Sequence, residues 1–167
     1  WLLVRTNNFK NWFGDWINDP ANASKVVDEN GEPMVVYHGT NEEFNVFGES
    51  ASRFGVRGNI FGDGYYFSSS KEVAEEYANR YLATIINGER IPVTTRRVIP
   101  AFLNIVDMID IKSLADWKEE YQRQKVRIWN EKSKTADGLV VRSIKDGSDI
   151  SADTYLVHNS ANIKSAT

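Results

Sequence analysis

The chain has 167 residues, of which 41% are hydrophobic, with no cysteine, two histidines and a net charge of −3 at pH 7. This length predicts one domain with a sizeable core; the missing cysteines exclude disulfides and thiolate chemistry, and two histidines exclude a multi-histidine metal site. The acidic balance argues against a broad basic surface for duplex DNA or an anionic membrane, and no apolar run reaches the roughly 20 residues of a membrane span.

Short elements of both kinds follow one another along the chain, which indicates an α+β architecture. Aromatic residues at helical spacing predict a short helix from Phe9 to Trp16, ended by Asp19-Pro20. We interpret its four large aromatic side chains as a docking face rather than a ligand site. The Asn-Gly of "DENGEP" predicts a hairpin between Val26-Val27 and a strand from Met34 to Tyr37, so "VVYHG" becomes an inner strand.

The middle of the chain alternates loop, strand and helix signals. The Gly-rich segment from Gly48 to Gly64 predicts a long surface loop, and Tyr65 to Ser68 predicts a second strand. A capping box at "SSKE" opens a helix that ends near Leu82. The later predicted elements are a hairpin around "INGER", a strand from Val98 to Ile105, a solvated amphipathic helix from Ser113 to Lys132, and strands from Gly138 to Ile144 and Tyr155 to His158.

Polar groups gather where these elements meet. His38 and Gly39 leave one strand, Tyr66 lies at the start of the next, and Tyr77 follows on the helix. If strand and helix pack together, the two phenol rings flank one slot near His38. Two rings beside a glycine backbone suit a flat aromatic amide such as nicotinamide. Taken alone, Tyr77 is more simply explained as a core residue of the helix, and His38 as a core histidine whose ring nitrogens are hydrogen-bonded. Only the combination of these residues favours a ligand site.

Three segments carry a family resemblance: "VVYHGT", "FGDGYYFSSSKEVAEEYA" and "DTYLVHNSANIKS". They resemble the His-Tyr-Glu branch of the ADP-ribosyltransferase fold, as in poly(ADP-ribose) polymerases and diphtheria toxin. With "WFGDW", "NGEP" and the "IKSA" ending, the chain is most similar, over residues 9–166, to the transferase-like domains of bacterial and phage polyvalent proteins. The resemblance implies an α+β fold in which two small packed antiparallel β-sheets form an NAD cleft with flanking helices.

The resemblance also implies roles for individual residues. His38 is the first triad member and binds the adenosine-side ribose hydroxyl, while the backbone of Gly39 binds the nicotinamide amide. Thr40, next in the motif, is counted among the NAD-binding residues. Tyr66 is the second triad member, and Tyr77 forms the opposite wall of the stack.

Two positions depart from the family pattern. Ala74 stands where polymerase-type members have a serine, so we expect one hydrogen bond to nicotinamide to be missing. Thr154 stands where the catalytic glutamate belongs, and a hydroxyl offers only a neutral hydrogen bond to a developing positive charge. Asp153 is the nearest carboxylate, but strand alternation points it to the other face unless a bulge turns it inward.

The implied activity is a mono-ADP-ribosyltransferase that uses NAD as substrate, without a metal. The expected acceptor is a macromolecule, with a protein favoured over nucleic acid and no membrane partner. The chain starts at Trp1; we expect a single domain cut from a longer protein that acts in the cytoplasm or is delivered into a host cell as a toxin or effector. The alternatives are a weak or inactive NAD-binding or ADP-ribose-binding module, an NAD hydrolase and an unrelated interaction domain.

The loop from Gly48 to Gly64 adds two further candidates. Arg53 and Arg57 are possible partners for the pyrophosphate, since guanidinium groups pair well with phosphate oxygens. Plain surface arginines remain the favoured interpretation.

Overall fold

The structure is a computed structural model of the chain. It describes residues 2–41, 44, 46–48, 64–80, 83–86, 89–92, 94–112, 135–145 and 148–167. The described helices are α1 (Asn7–Phe13) and α2 (Lys71–Asn79). The described strands are β1 (Val36–Thr40), β2 (Tyr65–Ser68), β3 (Ala83–Ile86), β4 (Glu89–Pro92), β5 (Arg97–Leu103), β6 (Met108–Ile111), β7 (Gly138–Ile144), β8 (Ala152–Val157) and β9 (Ile163–Ser165). The α+β prediction is confirmed.

Seven strands form one mixed sheet in the order β6-β7-β8-β2-β1-β5-β9, while β3 and β4 form a separate hairpin. Strands β6 and β7 are parallel, and the other neighbours are antiparallel. At the centre, β1 shares with β2 the single pair Tyr37–Ser68, whereas five pairs join β1 to β5. In place of two separate antiparallel sheets, the structure therefore has one sheet that is split between β1 and β2.

The structure contains the strand, the helix and the hairpin that the sequence predicts around α2. Strand β2 has the predicted bounds. The helix cap lies one residue later than the capping box implies: Ser70 rather than Ser69 is the N-cap, and its hydroxyl accepts from Val73 N at 3.2 Å and donates to Glu72 at 2.8 Å. The described helix ends at Asn79, and Leu82 lies outside the described residues. The "INGER" hairpin is present as β3 and β4.

The first hairpin has less strand pairing than the sequence predicts. The Asp28 side chain accepts from the backbone of Asn30 and Glu32, at 2.8 and 3.0 Å, and holds the turn. Beyond it, only the isolated bridge Val27–Pro33 forms, so Val26-Val27 is not a strand and β1 begins at Val36. The predicted helix from Ser113 to Lys132 and loop positions 49–63 lie outside the described residues.

Helix α1 ends earlier than predicted, at Phe13, because Gly14 follows it with φ 96°. Its aromatic side chains are nevertheless buried: Phe9, Phe13 and Trp16 pack against Phe102 of β5. This supports the docking-face interpretation. Among the described residues, no helix is long and apolar enough to cross a membrane.

Candidate functional site

A narrow slot lies between α2 and the sheet, at the split between β1 and β2. Its volume is about 60 Å³, well below the roughly 300–1,000 Å³ typical of small-molecule pockets, so it is too small for a whole dinucleotide. The lining residues that carry the argument are His38, Gly39, Tyr66, Ser68, Tyr77 and Thr154. The structure thus brings together six residues that the sequence singled out from three distant segments: His38 and Gly39, then Tyr66, Ala74 and Tyr77, and finally Thr154.

The His38 side chain bridges the split. Its Nδ1 lies 2.7 Å from the carbonyl oxygen of Tyr66; because a carbonyl only accepts, Nδ1 carries the hydrogen, and Nε2 of the neutral ring is an acceptor. The rings of Phe44, Phe47 and Phe67 surround the imidazole, with centroids 6.1, 5.3 and 5.4 Å away. These contacts fix the ring and its tautomer.

The peptide groups of Gly39 point into the split. On β1, Tyr37 lies opposite Pro100 of β5. Proline has no N–H, so this is not a hydrogen-bonded pair and the Tyr37 backbone groups point toward β2 instead. Alternation along the strand then directs the N–H and C=O of Gly39 to the same side.

Strand β2 does not pair with Gly39. The register of the Tyr37–Ser68 pair would set Gly39 opposite Tyr66, but Tyr37–Ser68 is the one pair that the structure records between these strands. The Tyr66 carbonyl that would accept from Gly39 in a continuous ladder is taken by the His38 ring. The split therefore presents a backbone donor and acceptor side by side, which is what a carboxamide requires.

Gly39 also determines how close α2 can lie. A Cβ atom at this position would be 1.8 Å from the carbonyl oxygen of Ala74. Only glycine allows the helix to rest directly on β1. That close approach brings Tyr77, one turn further along α2, over the slot.

Tyr77 is supported by a residue that the sequence analysis missed. The Arg80 guanidinium carbon lies 4.1 Å from the centroid of the Tyr77 ring, a cation–π arrangement. The i, i+3 spacing of the two residues on one helix could have indicated it. Tyr66, on the sheet side of the slot, packs against the buried cluster that contains Leu139 and Leu156.

Thr154 occupies the deep side of the slot. It is 5% exposed and lies on β8, opposite Ser68 on one side and Val141 on the other. Ala74 also lines the slot, so the serine of polymerase-type members is absent there. Among the described residues, those lining the slot include no carboxylate.

The structure does not bring Asp153 to the slot. Its carboxylate accepts from Arg142 Nη1 and from the backbone of Ser143, both at 2.8 Å. The bulge occurs in β7, where Ser143 has φ 51°, and turns that backbone toward Asp153 rather than turning Asp153 inward. The Asp153 side chain therefore belongs to a hydrogen-bond network on the opposite face of β8. This corrects the suggestion that a bulge turns Asp153 inward to act as the acid.

That network perturbs two pKa values. Burial raises the pKa of Tyr155 to about 12, and its hydroxyl lies 3.4 Å from Arg142 Nη1. Burial opposes the charge of Arg142, but the hydrogen bonds that its guanidinium donates to Asp110 and Asp153 outweigh burial and raise the Arg142 pKa above its usual range. The network thus stabilises the β6-β7-β8 side of the sheet.

The remaining candidates lie elsewhere. Thr40 is buried at the end of β1, opposite Arg97, and does not line the slot. Arg53 and Arg57 lie outside the described residues. Within the described ranges, no group of three His, Asp or Glu side chains is arranged to hold a metal ion.

Comparison with known proteins identifies the family. A search of curated proteins found no match. The family model described as ADP-ribosyltransferase in polyvalent proteins matches residues 28–167, from the first hairpin through β9, and includes every residue of the slot. This confirms the resemblance and the fold predicted from the sequence. The chain therefore belongs to the family of ADP-ribosyltransferases of polyvalent proteins.

Proposed function

We propose that the chain is a mono-ADP-ribosyltransferase that cleaves NAD and transfers one ADP-ribose to a macromolecular acceptor. The observation that carries the proposal is the pair of Gly39 peptide groups directed into the split, between Tyr66 and Tyr77. A carboxamide can pair with both groups while its ring lies in the slot. Family membership supports ADP-ribosyl transfer as the general activity.

In the proposed reaction, the bond between nicotinamide and the ribose C1′ breaks. The bonding electrons go to the nicotinamide nitrogen, and positive charge develops on the ribose. The acceptor's nucleophile then forms a bond to C1′; a carboxylate attacks as the anion, whereas a hydroxyl or an amine releases its proton to solvent. In this mechanism Gly39 holds the amide, Tyr66 and Tyr77 flank the ring, and His38 Nε2 accepts from the adenosine-side ribose hydroxyl.

Thr154 is the position at which the proposed mechanism lacks a negative charge. In the proposal its hydroxyl holds the ribose nearest nicotinamide, but it supplies no charge to the developing cation, which a carboxylate would stabilise strongly. Because the described slot residues include no carboxylate, the proposal assigns that charge to the acceptor itself. A protein acceptor that reacts through Asp or Glu satisfies this requirement and is favoured over nucleic acid.

A second candidate function is an NAD-binding or ADP-ribose-binding module without turnover. Thr154 in the slot and Asp153 held by Arg142 on the other face favour it. For either function, we place the domain in the cytoplasm, or in a host cell to which a larger protein delivers it.

The experiment that tests the proposal measures nicotinamide released from NAD over time, together with NAD binding by calorimetry. The wild type should release nicotinamide, with Tyr66→Ala as the blank and Tyr66→Phe, which keeps the ring, retaining binding. NAD binding without release would establish the module instead. A wild type that does not cleave NAD and binds neither NAD nor ADP-ribose would overturn both functions.

A further inference from the structure

The end of α2 places a positive charge against one wall of the slot. Arg80 directly follows the helix, and its backbone N–H donates to the Tyr77 carbonyl at 3.3 Å. The Arg80 guanidinium carbon lies 4.1 Å from the centroid of the Tyr77 ring. At that distance the guanidinium covers one face of the phenol ring, which leaves the other face to a ligand in the slot.

The charge of Arg80 therefore lies close to any ring that stacks in the slot. A flat ring in van der Waals contact with the second face of Tyr77 has its centre about 8 Å from the guanidinium. Two positive charges at this separation repel enough to change an affinity about threefold or more, even near water. The described slot lining contributes no carboxylate, and Glu76, beside Tyr77 on α2, is exposed and does not line the slot.

Nicotinamide changes its charge in the proposed reaction. In NAD its ring is a pyridinium with one positive charge. When the bond to the ribose C1′ breaks, the bonding electrons return to the ring nitrogen, the ring becomes neutral, and the positive charge passes to the ribose. A cation behind Tyr77 opposes the charged ring more than the neutral one. It thus raises the energy of bound NAD more than that of the transition state, which favours cleavage.

We propose that Arg80 is a positioning residue that holds Tyr77 and, through its charge, makes the slot select a neutral aromatic amide over a cationic one. The inference rests on the proposed function, because cleavage of NAD is the step that converts one form of the ring into the other. Both forms have the same flat shape, so the size of the slot does not distinguish them.

Calorimetry with small probes of matched shape tests the selection. Nicotinamide and benzamide are flat neutral amides, and 1-methylnicotinamide is the cationic counterpart of nicotinamide. Arg80→Met removes the charge but leaves a side chain that packs well on aromatic rings. It should strengthen the binding of 1-methylnicotinamide relative to nicotinamide about threefold or more at low salt. The additional methyl group cancels when this ratio is compared between proteins.

Two further variants separate charge from packing. Arg80→Lys keeps the charge and should retain the wild-type ratio. Lys71→Met is the matched control, because Lys71 is an exposed cation at the start of the same helix that pairs with Glu75 at 3.3 Å and does not line the slot. It changes the net charge equally and should leave the ratio unaltered. Salt at 1 M, where the Debye length is about 3 Å, should remove most of the difference between the wild type and Arg80→Met.

With NAD, the charge should appear as a split between kinetic constants. Arg80→Met should lower both KM and kcat for nicotinamide release, because bound NAD is relieved of repulsion more than the transition state is. If Arg80 only held the Tyr77 ring in place, its loss would raise KM instead.

Two results would overturn the inference: equal ratios in the wild type, Arg80→Met and Arg80→Lys, or an equal shift of the ratio in Lys71→Met. If the neutral amides and NAD still bound, only this inference would fail. If the wild type bound neither the neutral amides nor NAD, the proposed function would fail with it.

Discussion

His38 Nδ1 donates to the Tyr66 carbonyl across the split in the sheet, at 2.7 Å. A side chain thus occupies the acceptor that a continuous ladder would give to the Gly39 backbone. In the proposed mechanism the imidazole has two roles: its Nδ1 keeps the Tyr66 carbonyl away from Gly39, and its Nε2 binds the adenosine-side ribose. These roles can be separated by substitution.

The first prediction separates them with His38→Asn and His38→Ala. The asparagine amide can donate to Tyr66 as Nδ1 does, but it has no group at the position of Nε2. We expect His38→Asn to bind benzamide like the wild type and ADP-ribose about tenfold more weakly, whereas His38→Ala should weaken both. Calorimetry with the two ligands measures this. Equal ADP-ribose affinity in all three proteins would remove His38 from the site.

The second prediction restores the missing acid. Thr154 lines the slot, so Thr154→Glu places a carboxylate beside the proposed nicotinamide ribose. Nicotinamide release should rise, because oriented charge stabilisation is commonly worth about 10²-fold or more in rate. Measured initial rates of release, with circular dichroism to verify folding, check this.

Asp153→Asn is the control for that experiment. Its carboxylate is bound to Arg142 and the Ser143 backbone on the other face, so this change should lower stability and leave nicotinamide release per folded molecule unaltered. Loss of release in Asp153→Asn, together with no gain in Thr154→Glu, would mean that Asp153 is the acid after all.

The third prediction concerns the contact between α2 and β1. Gly39→Ala puts a Cβ atom 1.8 Å from the Ala74 carbonyl oxygen, so the helix must move. We expect a loss of about 3 kcal/mol in the free energy of unfolding and loss of benzamide binding. Urea denaturation measures the first and calorimetry the second.

Gly31→Ala is the matched control, since no atom lies within 4 Å of a Cβ there and its φ is +78°. It should cost only about 1 kcal/mol, from backbone strain, and leave benzamide binding intact. Equal losses in the two variants would show that the contact with Ala74 does not decide the position of α2.

The fourth prediction is a pH dependence of stability. Burial raises the pKa of Tyr155 from 10.0 to about 12, so the folded state holds this proton more tightly than the unfolded state. The contribution is complete below pH 10 and is lost as pH rises toward 12, by about 2–3 kcal/mol. Urea unfolding between pH 9 and 11.5 measures it, and Tyr155→Phe should show a shallower decline. Parallel declines would contradict the assignment.

Elements with local signals were predictable from the sequence. The start of α2 and the strand from Tyr65 to Ser68 depend on neighbouring residues; the strand has the predicted bounds, and the helix cap is displaced by one residue, from Ser69 to Ser70. Strands β6 and β9 were missed because they form through their partners, β7 and β5. Unlike the β3-β4 hairpin, they have no turn between them and a neighbouring strand that marks them in the sequence.

At the candidate site, too, local patterns were predictable from the sequence and long-range contacts were not. Strand alternation placed Thr154 and Asp153 on opposite faces, and the motif spacing brought Tyr66 and Tyr77 to one slot. The bond from His38 Nδ1 to the Tyr66 carbonyl could not be recognised, because it joins residues 28 positions apart in sequence. Contacts of that kind are set by tertiary packing and leave no periodic trace.

The family match begins at residue 28, yet helix α1 lies before it and inserts Phe9 and Phe13 beside Phe102 of β5. Further along, Trp12 Nε1 donates to the Ala161 carbonyl at 2.9 Å, and Lys164 of β9 lies over the same indole. A fragment cut at residue 28 would expose Phe102 to water and remove the Trp12 contacts to Ala161 and to Lys164 of β9. The region that matches the family model therefore packs against a helix that the match leaves out, and the two are best expressed together.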